Sequence, residues 1–85
     1  MKTFEYIIKD ELGIHARPAG MLVKKARSLD SKIMIEVNGK KADASKVFSV
    51  MGLGAKQGDK LSVTVTGGNE DASVKELTEF FTTNL

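Results

Sequence analysis

The chain has 85 residues and a net charge of +2, with 41% hydrophobic and 28% charged residues, no cysteine and one histidine. A chain of this size forms one domain, 1–85, and buries only about 60–65% of its unfolded surface, too little to enclose a large substrate in a deep pocket. The missing thiols exclude a disulfide scaffold, a thiolate metal site and a cysteine nucleophile, the single histidine excludes a histidine-cluster metal site, and the near-balanced charge argues against a nucleic-acid coat.

Residues 2–8 alternate, with Phe4, Tyr6 and Ile8 on one side and Thr3 and Glu5 on the other. That pattern predicts a half-buried strand. A loop with Gly13 leads to His15-Ala16-Arg17-Pro18. Ala19, Leu22, Val23 and Ala26 then fall on one helical stripe. Pro18, the only proline, is tolerated in a helix only in its first turn, so the helix must start near 16–17. Ile33, Ile35 and Val37 give a second strand. Asn38-Gly39 predicts a hairpin, and residues 40–43 a short polar edge strand. Ser45 is placed to cap a short helix over 46–52, ended by Gly52 or Gly54. After the turn at Gln57-Gly58-Asp59, Leu61, Val63 and Val65 alternate with Ser62, Thr64 and Thr66. Asn69 caps a last helix, with Glu70 and Asp71 matched to its dipole and Val74, Leu77 and Phe81 as its inner stripe.

The order βαββαβα predicts an α+β fold, a two-layer open-faced sandwich. Its four-stranded antiparallel sheet is covered on one face by three helices. A ferredoxin-like split βαβ arrangement is the nearest topological competitor. No apolar run reaches the roughly 20 residues of a membrane span, and Met1–Glu5 opens no signal peptide, so a cytoplasmic protein without membrane insertion is expected.

His15 is the only side chain whose unperturbed pKa lies near neutrality. A lone histidine is more often structural, but this one directly precedes a helix start. Such a start offers unpaired N–H groups and a positive dipole end to an anion. Ala16 and Arg17 would present amides there, and Arg17 adds a charge suited to phosphate oxygens. A nucleophilic imidazole beside an oxyanion cradle fits phosphoryl transfer without a metal or other cofactor, in a shallow site. The competing reading has His15 as a helix cap and Arg17 as a solvated surface residue.

Gly13-Ile14-His15-Ala16-Arg17-Pro18-Ala19 resembles the active-site signature of the HPr family, the histidine-containing phosphocarriers of the bacterial sugar phosphotransferase system. The resemblance runs along the whole chain through Asn38-Gly39-Lys40, Val50-Met51-Gly52-Leu53-Gly54 and Gln57-Gly58-Asp59. It implies that His15 takes a phosphoryl group on Nδ1 from enzyme I, charged by phosphoenolpyruvate, and passes it to a sugar-specific IIA protein or domain. It implies that Arg17 steadies that group and that Pro18 sets the helix start. It also admits an HPr serine kinase or a transcriptional regulator as partners.

Met21 on the first helix and Val47, Phe48 and Met51 on the second are candidates for an exposed docking patch, with Lys24 and Arg27 as its positive surround. Core packing is the plainer reading of such side chains. The regulatory serine that some members of the family carry falls on Lys46 here, which leaves Ser45, with Ser49 one turn on, as the candidate phosphosite, against the plainer role of Ser45 as the helix cap. A regulatory paralogue of the same carrier, serving nitrogen or carbon control, would use identical His15 chemistry. A small α+β module binding RNA or another polyanion is the reading from a different class. The low charge and the absence of a paired aromatic motif on a middle strand speak against it. A monomer is expected.

Overall fold

The computed structural model describes all of residues 1–85. Strands β1 (Lys2–Ile7), β2 (Lys32–Val37), β3 (Lys40–Asp43) and β4 (Lys60–Thr66) alternate with helices α1 (Ala16–Ser28), α2 (Val47–Met51) and α3 (Glu70–Asn84). The strands form one sheet in the order β1-β4-β2-β3, antiparallel throughout. This is the expected βαββαβα sandwich. The two strands richest in β-branched residues, β2 and β4, take the centre, and the lysine-bearing β3 takes an edge.

Register follows the alternation. Ile35 lies opposite Val63 and Phe4 opposite Val63 from the other side, so one face collects the apolar set. That face carries Ile33, Ile35, Val37, Leu61, Val63 and Val65, all buried, and receives Ala19, Leu22 and Ala26 of α1 and Leu77 and Phe81 of α3. The opposite face, with Glu5, Glu36, Lys41, Ser62 and Thr64, stays open. Asn38 (φ 52°) and Gly39 (φ 80°) both adopt left-handed backbone, the geometry a two-residue hairpin needs to match strand twist.

Asn69 caps α3 as predicted, its side chain accepting from the Ala72 amide at 3.2 Å. The inner face of that helix differs in one place. Ser73 is fully buried with Leu77 and Phe81, while Val74 is half-buried. The Ser73 hydroxyl lies 2.8 Å from that of Ser31, which satisfies it inside the core. The Ser45 cap is corrected. Lys46 occupies the N-cap of α2, and the Ser45 hydroxyl instead donates to Asp43 Oδ1 at 2.7 Å. The same oxygen accepts the Ser45 amide at 2.9 Å, so Asp43 closes the turn, and Ser45 stands one residue ahead of the N-cap.

Gly20 sits in the interior of α1, exposed, and a Cβ there would meet nothing within 4 Å. Replacing it by Ala removes backbone freedom from the unfolded chain without a clash. Gly20→Ala is expected to stabilise the fold by about 0.5–1 kcal/mol, read as a higher urea midpoint at constant m-value.

Candidate functional site

His15 is the N-cap of α1, with extended backbone (φ −115°, ψ −172°) and no side-chain capping bond. The reading of His15 as a side-chain cap is therefore set aside. The first intrahelical bond runs from the Ala19 amide to the His15 carbonyl at 3.0 Å. The amides of Ala16 and Arg17 precede it and have no helical acceptor, and Pro18 has no N–H to satisfy. Pro18 is buried, whereas Ala16 and Arg17 are exposed and His15 is half-buried. None of the ion pairs in the fold involves Arg17. Two open amides, an unpaired guanidinium and a free imidazole thus meet at one helix start, an arrangement that can receive an anion.

His15, Arg17, Pro18 and Met21 line one open depression of about 260 Å³. Thr83 and Asn84 of α3 and Asp10 complete its lining. These last three were missed in the sequence. Asp10 did have a signal, because Asp-Glu-Leu-Gly with Asp first and Gly fourth is the pattern of a tight turn. The Gly13 amide donates to the Asp10 carbonyl at 3.0 Å, and the Leu12 amide to Asp10 Oδ1 at 2.8 Å. The loop is anchored on both flanks: the Asp10 amide donates to the Leu85 carbonyl at 2.8 Å and the Ile14 amide to the Ala55 carbonyl at 3.0 Å. Gly13 (φ +65°) lies so close to Ala55 that no side chain fits between them.

Of the proposed docking residues, Met21, Phe48 and Met51 are exposed, Phe48 by 83%. Val47 departs from that set: it is half-buried against the core, since α2 must pin one side to the sandwich. Lys24 is exposed and lies beside Met21, Lys25 and Phe80 in a groove between α1 and α3. Lys25 is occupied by Glu76 at 2.8 Å. Arg27 reaches the other way. Its Nε and a terminal nitrogen donate to the Ser45 carbonyl at 3.0 and 2.8 Å, bracing α1 against the start of α2. The Ser45 hydroxyl and amide, by donating to Asp43, hold that carboxyl below its usual pKa. Four of the five aromatic residues, Phe4, Tyr6, Phe80 and Phe81, pack in or against the core. The open sheet face thus lacks the stacking platform that an RNA-binding module would use.

A family model described as "PTS HPr component phosphorylation site" matches residues 2–83. Phosphocarrier protein HPr of Lysinibacillus sphaericus is 40% identical over 82 residues, which cover 96% of this chain and 93% of that protein. The crystal structure of an HPr from Thermoanaerobacter tengcongensis superposes with a TM-score of 0.91 at 32% identity, covering 98% of this chain and 93% of that one. The Crh protein of Bacillus subtilis shares the fold at 24% identity, with a TM-score of 0.76 over 94% of this chain and 92% of its own. The sandwich and its helix-start site define a phosphocarrier-type domain. This chain belongs to the HPr family of phosphocarrier proteins. No helix is long and apolar enough to cross a membrane.

Proposed function

We propose that this chain is a cytoplasmic phosphoryl carrier of the sugar phosphotransferase system, with His15 as the acceptor. The observation that carries the reading is the free His15 imidazole at the head of α1, beside the unpaired Arg17 and the open amides of Ala16 and Arg17. The Nδ1 lone pair forms a bond to the phosphorus of phosphorylated enzyme I. The donor's bond to phosphorus breaks, and its electron pair leaves with the donor. The amides and the Arg17 guanidinium offset the charge of the phosphoryl oxygens through the loose transition state and afterwards. Onward transfer to a IIA protein or domain repeats the displacement with His15 as leaving group. The depression is open to solvent, so a second protein can reach the phosphorus without any lid moving.

The test is intact-mass measurement after incubation with phosphoenolpyruvate and enzyme I. One acid-labile phosphoryl group is expected, mapped to His15. His15→Ala should accept none while keeping its fold, because the side chain makes no capping bond. Phosphorylation of the alanine variant would sink the assignment. For docking, Met21, Phe48 and Met51 form the apolar contact, and Lys24 supplies charge toward acidic partners. Met51→Glu is expected to slow transfer from enzyme I by roughly tenfold or more, the weight of a central interface side chain, with unchanged thermal stability. Identical transfer kinetics would remove Met51 from the interface. Ser45 as a target of an HPr serine kinase is the weaker proposal, since its hydroxyl is held by Asp43 and would have to be released first.

A further inference from the structure

We infer that Asp10 is a positioning residue that also sets the phosphoryl-transfer potential of His15, an inference that rests on the phosphocarrier reading above. Asp10 does two separable things. Its carbonyl and Oδ1 accept the amides of Gly13 and Leu12, and so fix the turn from which the chain runs into His15. Asp10 also lines the same depression as His15 and Arg17. No cation stands within ion-pair distance of it, so its charge is not cancelled locally.

A phosphoryl group on His15 brings about two negative charges into that depression. Arg17 and the helix start attract them, and Asp10 repels them. The repulsion is absent when His15 is unmodified, so Asp10 raises the free energy of the phosphorylated form relative to the free form. The carrier then gives up its cargo more readily than the helix start alone would allow. A site built only of positive groups would stabilise the phosphohistidine and hinder its onward transfer.

The two roles separate by substitution. Asp10→Asn keeps an oxygen acceptor for the Leu12 amide and removes the charge. Asp10→Ser does the same with a hydroxyl. Uniformly ¹⁵N-labelled unsubstituted chain is mixed with an equal amount of unlabelled Asp10→Asn chain. A catalytic quantity of enzyme I and limiting phosphoenolpyruvate let the phosphoryl group equilibrate between them, and intact mass reads its partition. The neutral chain is expected to hold the phosphoryl group in about three- to tenfold preference at low salt. That preference should shrink toward unity in about 1 M salt, which a purely structural effect would not do. Asp10→Ser should shift the partition in the same direction. An even partition at low salt, with both chains phosphorylated, would overturn the role of Asp10 and leave the carrier reading standing. Phosphorylation of neither chain, with enzyme I active on another carrier, would overturn both.

Discussion

Gly13→Ala is expected to destabilise the domain by roughly 2–4 kcal/mol and to displace His15 from its place at the head of α1. Gly13 holds φ +65°, a region an L side chain occupies only with strain. The added Cβ would lie 2.3 Å from the Ala55 carbonyl oxygen and 2.8 Å from the Lys56 Cα, both backbone atoms that cannot swing aside. The loop must therefore lift, and the bond from the Ile14 amide to the Ala55 carbonyl stretches or breaks. Because His15 follows one residue later, the loss should appear twice: as a lower urea midpoint, and as slower phosphoryl acceptance at temperatures where the variant is still folded. A variant with unchanged midpoint and unchanged acceptance would show that the loop is not clamped against Ala55.

Phe81→Ala is the largest stability loss expected from the core, about 3–5 kcal/mol. Phe81 is fully buried and meets three rings, with centroids 6.0 Å from Phe4, 5.5 Å from Tyr6 and 6.0 Å from Phe80. It joins α3 to β1, an edge strand with only one strand neighbour. A chain of this length has a total stability of about 4–13 kcal/mol. The variant should therefore lose a large share of that stability, measured as a marked fall of the urea midpoint. The phosphoryl-accepting groups are not altered, so whatever fraction remains folded should still be phosphorylated on His15. Retention of the full midpoint would mean that the ring cluster relaxes to fill the void.

The strands were legible because each has one wet face, and alternation reports that directly. Leu61, Val63 and Val65 marked β4, and the hairpin at Asn38-Gly39 marked β2 and β3, since only a few residue pairs adopt those angles. Helix α2 was less legible. Serine before a helix favours the cap, yet here Asp43 gathers the Ser45 amide and hydroxyl into a turn and the helix begins one residue later, with Lys46 at its N-cap. The site divides in the same way. His15, Ala16, Arg17 and Pro18 are contiguous, and the proline fixes where the helix begins. Asp10 came within reach of turn chemistry, but its place in the same depression as His15 depends on how the loop folds back. Thr83, Asn84, Ala55 and Leu85 approach from elements far along the chain, and no local pattern marks a residue that contributes only by tertiary placement.

The brace between the first two helices has an asymmetry of its own. Arg27 donates both of its bonds to a main-chain carbonyl, that of Ser45. Every amino acid carries that acceptor, so position 45 is free to vary without loosening the helices. Position 27 is not. A guanidinium offers two donors in a fixed fork, while an ammonium in its place could make only one comparable bond at a time. Sequence drift at 45 is therefore cheap for the relative placement of α1 and α2, and even the mild change of Arg27 to lysine is costly for it. The constraint on this surface lies on the residue that reaches across and not on the one reached.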